Sequence, residues 1–135
     1  MDCIFCKIIA GELPSYKVFE DEHTLAFLDI NPVSPGHTLV VPKRHAKNIF
    51  DIDAGSWAAV MESVRVVSAA VEHAQSADGI NLMMNNREHA GQVVDHVHVH
   101  IIPRHAGDGL RLWPHHQYKE GQAEAICTAI KTALS

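Results

Sequence analysis

The chain has no apolar run approaching the roughly 18 residues of a membrane span, so no transmembrane helix is expected. A signal peptide is not expected either: Asp2 and Lys7 fall within the first apolar stretch, and no small-residue cleavage site follows. Long runs of one charge sign are missing, and the formal net charge is -5. A protein that wraps duplex nucleic acid needs a basic face, and this composition offers none. A single small nucleotide stays open, because backbone N–H groups and imidazoles suffice to hold one phosphate. Cysteine is scarce and odd in number: Cys3, Cys6 and Cys127. Three thiols without an export signal speak for a reducing, cytoplasmic compartment. Repeats, low-complexity tracts and linkers are also missing. The 135 residues, 47% of them hydrophobic, therefore read as one domain over 1–135.

Histidine, by contrast, is abundant, with 11 residues, and His96, His98 and His100 fall within five positions. Along the chain, 3–10 reads as a short apolar turn or helix stopped by Gly11 and Pro14. Residues 16–20 and 23–29 read as a hairpin across Asp21–Glu22, and HTLVVP (37–42) as a third strand ended by Pro42. Asp53 is a candidate N-cap for a long helix over 54–76. There Trp57, Val60, Met61, Val64, Val67 and Val71 recur at three- and four-residue spacing. INLMMN (80–85) reads as a fourth strand, REHAGQVV (87–94) as a polar loop and DHVHVHIIP (95–103) as a fifth strand. An irregular segment leads to an amphipathic helix over 119–134 carrying Ile126, Cys127 and Ile130. The pattern predicts an α+β fold of two layers, with an antiparallel sheet of about five strands. The helical crossover between strands three and four leaves a parallel pair possible.

Alternation on a strand points His96, His98 and His100 to one face, with α-carbons about 6.5–7 Å apart. Val97, Val99 and Ile101 then point to the core. Three imidazoles on an open strand face give up packing, and something should offset that. Imidazole serves as a nucleophile, as an acid or base near neutral pH, or as a metal ligand. A zinc hydrolase with two ligands from H-x-H is one reading of the residues alone; a His-rich solvent face is another.

The run His96-Val97-His98-Val99-His100-Ile101-Ile102 resembles the signature of the histidine triad family. Ala90-Gly91-Gln92 is similar to that family's phosphate loop. Upstream, 27–32 (FLDINP), 36–43 (GHTLVVPK) and CKII near the start resemble the small nucleotide-binding, Hint-like branch, over about residues 3–104. The resemblance implies a hydrolase or transferase acting at the α-phosphate of a purine nucleotide conjugate. The expected reaction is nucleoside 5'-phosphoramidate hydrolysis releasing AMP or GMP.

It implies that His98 is the nucleophile, forming a nucleotidyl-histidine, and that His100 stabilises charge or delivers a proton. Gln92 is expected to offer its amide to a phosphate oxygen, and His37 to orient the triad from behind. Gly91 lets the loop backbone approach a phosphate, and Asn85 stands on the leaving-group side. Asp29 is expected to accept the ribose hydroxyls, while Ile4, Phe5, Ile8, Phe27 and Ile30 enclose the base. Without the resemblance, Gly91 is a turn glycine, Asp29 a strand-end aspartate and the apolar set ordinary core. Val93 departs from the pattern: many relatives carry Ser or Thr there, and Val has no hydroxyl to help a leaving group.

A zinc-bearing subgroup of the family is similar residue by residue at Cys3, Cys6, His45 and His96. That implies a structural zinc with four protein ligands and no position for water. It also implies that no catalytic metal is needed. Relatives form homodimers, so a homodimer is expected here. A dinucleoside polyphosphate hydrolase, a nucleotide-binding interaction protein with vestigial hydrolysis and a catalytic zinc hydrolase remain alternative readings.

Overall fold

The segments TLAFL and TLVVP are apolar at nearly every position, a pattern that suits strands covered on both faces. The computed structural model describes residues 2–135 and places them so. The elements run α1 (Ile4–Ile9), β1 (Lys17–Glu20), β2 (Thr24–Leu28), β3 (Thr38–Pro42), α2 (Ala54–Gln75), β4 (Gly79–Met83), β5 (Val99–Arg104) and α3 (Gln122–Leu134). One 3-10 turn, Glu88–Ala90, lies between β4 and β5. The sheet order is β1-β2-β3-β5-β4, and every pairing is antiparallel. The parallel pair left open by the sequence does not form, because β5 enters between β3 and β4 and runs against both.

Local chemistry explains the ends of the elements. Asp21 accepts from the N–H groups of His23 and Thr24, at 2.9 and 2.8 Å, and this closes the β1–β2 turn. Asp53 caps α2 by accepting the Ser56 N–H at 3.0 Å. Cys3 caps α1, with its Sγ 3.4 Å from the Cys6 nitrogen.

Two clusters sit on opposite faces of the sheet. Val60, Val64 and Val67 of α2 pack on Ala26, Val40, Val99 and Ile101. Each buried valine contributes about 1.5–3 kcal/mol. Phe5 of α1 packs with Leu25, Phe27, Leu39 and Val41 on the other face. Alternation along β5 therefore sends Val99 and Ile101 toward α2, and His98 and His100 toward α1. The sequence places those histidines on an open face. They lie instead under α1, with His96 and His98 buried and His100 half-buried.

Two boundaries differ from expectation. β5 begins at Val99 rather than Asp95, and β3 pairs with it only over Thr38–Val40. Pro42, at the end of β3, has no N–H for a ladder. His96 uses its ring against the Pro42 carbonyl instead, and the Val97 N–H bonds to Ala46. α3 begins at Gln122, and residues 111–135 are exposed throughout. Among the described residues, no helix is long and apolar enough to cross a membrane.

Candidate active site and metal centre

The N-cap and one residue of α1, the loop after β3 and the segment before β5 bring Cys3, Cys6, His45 and His96 together. Their four ligand atoms lie within 4.8 Å of one another. Cys3 Sγ and Cys6 Sγ lie 3.4 and 3.6 Å from His96 Nδ1, Cys6 Sγ lies 3.4 Å from His45 Nδ1, and the two Nδ1 atoms are 3.2 Å apart. A tetrahedral ion bound at zinc-like bond lengths sets S···N edges of about 3.5 Å and N···N edges of about 3.3 Å. The donor set therefore fits such an ion. The ring of His96 is already oriented for it: Nε2 donates to the Pro42 carbonyl at 2.8 Å, which leaves the Nδ1 lone pair free. Burial pushes the Cys6 thiol up and the His96 imidazole down to about 4, so neither donor is charged without a cation.

Beside this centre, one hydrogen bond sets the state of His98. Its Nδ1 lies 2.7 Å from the His96 carbonyl and donates to it. The lone pair of neutral His98 is therefore on Nε2. Burial lowers its pKa, against the pull of the carbonyl bond and of Asp29. The edge of the Phe5 ring packs against it, with centroids 5.2 Å apart.

A second chain of bonds sets His100. The Val33 N–H donates to His37 Nδ1 at 3.0 Å, so the proton of neutral His37 is on Nε2. That proton points at His100 Nδ1, 2.8 Å away. His100 consequently carries its own proton on Nε2. Burial, then the neighbouring His98 and His37, lower His100 to about 4, and burial lowers His37. Asp29, His37 and His100 also have the composition of a metal site. However, 2.8 Å is a hydrogen-bond length and shorter than the N···N edge of a tetrahedral ion. The tautomers account for it without a metal.

A cavity of about 500 Å³ opens in front of His98 and His100. That size suits a small ligand. Ile4, Phe5, Ile8, Phe27, Asp29, Ile30, Asn85, Gly91 and Val93 all line it. Leu13 and Leu39 also line it and were not singled out from the sequence. Leu39 shares a face with Val41 by strand alternation, which is the signal that could have found it. His37 stays behind the wall, buried. A larger depression of about 620 Å³ lies beside Lys43, Arg44 and Asp53. It is open and polar, holds no triad residue, and its charges pair locally: Lys43 with Glu20 at 2.8 Å and Arg44 with Asp53 at 3.7 Å.

Gln92 is placed differently from expectation. Its Oε1 accepts the Arg87 N–H at 2.7 Å, and its Nε2 donates to the Lys47 and Val94 carbonyls at 2.6 and 3.0 Å. The amide has no hydrogen left for a phosphate oxygen. Gln92 instead ties the loop to the segment that carries His45. The N–H groups of Gly91 and Gln92 are engaged with the Glu88 and Arg87 carbonyls, so the expected backbone donors start at Val93. Gly91 has φ +95°, and a Cβ there would meet Asn85 Nδ2 at 3.3 Å, so the turn requires glycine. Asn85 Nδ2 lies 3.3 Å from the Gly91 carbonyl.

Residues 10–107 match the model of the HIT domain family. The chain is 44% identical to Protein hit of Bacillus subtilis (strain 168), over 99% of this chain and 95% of that protein. It is 38% identical to adenosine 5'-monophosphoramidase hnt1 of Schizosaccharomyces pombe, over 99% of each. Among solved structures, SMU.412c from Streptococcus mutans UA159 superposes with a TM-score of 0.94 at 40% identity, covering 99% of this chain and 86% of that one. A HIT family member from Bacillus subtilis gives 0.92 at 43% identity, covering 100% and 99%. A zinc-bound histidine triad family protein from Mycobacterium smegmatis gives 0.79 at 33% identity, covering 98% of each. With the triad, the cavity and these likenesses together, the chain belongs to the histidine triad (HIT) domain family and has Hint-like homologues.

Proposed function

We propose that this protein hydrolyses nucleoside 5'-phosphoramidates, releasing a purine mononucleotide. The observation that carries the reading is His98. A buried neutral imidazole has its Nδ1–H committed to a backbone carbonyl and its Nε2 lone pair free at a nucleotide-sized cavity. The monophosphoramidase activity named for the Schizosaccharomyces pombe relative supports the choice of substrate.

The base enters between Ile4, Phe5 and Ile8 of α1, Phe27 of β2 and Ile30 just beyond it. Apolar walls with few edge hydrogen bonds favour purines and discriminate weakly between them. Asp29 holds the ribose hydroxyls. His98 Nε2 attacks the α-phosphorus, a P–N bond to His98 forms, and the bond to the amine breaks as its nitrogen takes a proton from solvent at the open cavity. His100, with its proton on Nε2, donates to a phosphate oxygen as charge builds there. Water then attacks the nucleotidyl-histidine, releasing the mononucleotide and regenerating His98. His37 is a positioning residue that keeps the His100 proton facing the cavity.

Cys3, Cys6, His45 and His96 would hold a structural zinc. Four protein donors would leave no open position for water, and the ion would serve to fix α1 and His96 in place. The zinc-bound Mycobacterium smegmatis relative supports the identity of the ion. The protein works as a cytoplasmic homodimer with residues 1–135 as one domain.

The test is steady-state AMP release from an adenosine phosphoramidate, wild type against His98→Ala. Loss of several orders of magnitude in a folded variant supports the assignment. Equal turnover by the two proteins overturns the triad mechanism. Faster turnover of diadenosine polyphosphate moves the reading to the polyphosphate hydrolases. Tight AMP binding with negligible turnover moves it to a binding protein.

A further inference from the structure

The four-donor centre contains a thiol pair that the reaction does not use. Cys3 is the N-cap of α1 and Cys6 its third residue, with the Cys6 nitrogen 3.4 Å from Cys3 Sγ. Both sulfurs face His96 Nδ1, at 3.4 and 3.6 Å, and they lie within 4.8 Å of each other. A C-x-x-C pair at a helix start is an arrangement that passes between dithiol and disulfide. Cys3 has φ -112° and ψ 120°, extended rather than helical, so its side chain is not locked into the turn that carries Cys6.

Two states of this pair exclude each other. Around a tetrahedral ion with metal–sulfur bonds of about 2.3 Å, two sulfurs stand about 3.8 Å apart. A disulfide needs about 2.05 Å. On oxidation the pair loses both negative charges, and the electrons that held a cation become the bond between the sulfurs. His45 and His96 then remain as two neutral imidazoles, half of a tetrahedral set.

A cleft separate from the nucleotide cavity gives access to the pair. It has a volume of about 410 Å³ and is lined by Cys3 and His45 together with Asp2, Ile4 and Val93. Cys3 lines it and Cys6 does not, so Cys3 is the sulfur that a small molecule meets first. Ile4 and Val93 line this cleft and the nucleotide cavity alike, so the start of α1 is part of the partition between the two. A helix of six residues does not hold itself together in water. Its attachments are the packing of Phe5 and the four-donor centre. Loss of the second loosens the wall that Ile4, Phe5 and Ile8 build.

We propose that Cys3 and Cys6 are an oxidation site: a peroxide converts them to a disulfide, the centre gives up its ion, and α1 loosens over the nucleotide cavity. The Cys3 thiolate attacks one oxygen of hydrogen peroxide. An S–O bond forms, the O–O bond breaks, and the departing hydroxide takes a proton to become water. The Cys6 thiolate then attacks the Cys3 sulfur. The S–S bond forms, the S–O bond breaks, and the second hydroxide also leaves as water. The two sulfurs give up two electrons, peroxide accepts them, and solvent supplies two protons. A dithiol reductant reverses the change. The inference rests on the zinc reading of the four-donor centre and is independent of the phosphoramidate reading.

The experiment uses the full chain with Cys127→Ser, which removes the exposed thiol on α3 that is no part of the cluster. The reduced chain is loaded with zinc, freed of reductant and treated with hydrogen peroxide. Released zinc is read with a chromophoric chelator, oxidation by intact mass and thiol count, and α1 by hydrogen exchange. The expected result is zinc release in step with the loss of both thiols and of about 2 Da, the mass of two hydrogens. The α1 amides should then exchange about tenfold faster or more, with α2 unchanged, and dithiothreitol with zinc should restore the starting state. Zinc that stays bound after peroxide treatment overturns the proposal. So does a mass gain of oxygen without a disulfide, a disulfide that leaves α1 exchange unchanged, or faster exchange in α2 as well. A chain that takes up no zinc at the outset overturns the metal reading, and this inference with it.

Discussion

Replacing Gln92 with methionine keeps the length and approximate volume of the side chain and removes three hydrogen bonds at once. Those bonds run to the Arg87 N–H and to the Lys47 and Val94 carbonyls, all within a partly buried loop. Each contributes about 1 kcal/mol net, so the loss is about 3 kcal/mol. Arg87 sits at φ +74°, a conformation the Gln92 bond helps to hold. Its relaxation returns about 1 kcal/mol. The net cost is about 2 kcal/mol. For 135 residues the unfolding entropy is about 0.28 kcal/mol/K, so Tm should fall by about 7 °C. Circular dichroism melts at one protein and one metal concentration measure it, since anything that binds the native state in preference shifts Tm with its concentration. A Tm within about 2 °C of wild type, together with a raised KM, would refute the reasoning. It would mean that the amide is free to meet the substrate.

Four other outcomes follow from the same geometry. His45→Ala removes one of four donors, so bound metal should fall from about one equivalent to near zero by elemental analysis, with a lower Tm; unchanged metal content would remove His45 from the centre. Burial holds His98 below the ordinary imidazole value, and neutral His98 is the attacking form, so the acid limb of kcat/KM should have its midpoint below about 6.5. A midpoint at 7 or above would contradict it. Stability runs the same way: His37 and His100 are depressed in the folded state, so their contribution is complete above about pH 6.5 and is lost as pH falls toward about 4, which urea titrations across that window detect. Finally, Val93 is 92% exposed at the cavity mouth, so Val93→Ser should move stability by less than about 0.5 kcal/mol. The added hydroxyl should raise kcat several-fold on poor amine leaving groups; equal rates would show that position 93 does not reach the leaving group.

Local pattern carried much of this protein. Alternation and helical spacing are short-range properties of the backbone, so the antiparallel sheet, α2 with its Asp53 cap and the alternation of His98 and His100 against Val99 and Ile101 were legible residue by residue. The resemblance of five short motifs pointed to much of the cavity lining, though not to Leu13 or Leu39, and likeness to a zinc-bearing subgroup named the four donors that cluster. Long-range packing decided the rest. Only the fold lays α1 over the histidine face and turns an apparently open strand into a buried one. Only it sets Val33 behind His37, and so the side of each imidazole on which the proton sits. The direction of the Gln92 amide is likewise decided by partners 2, 5 and 45 residues away. The exposure of α3 was invisible as well, because an amphipathic stripe states that a face must be covered and does not state by which chain.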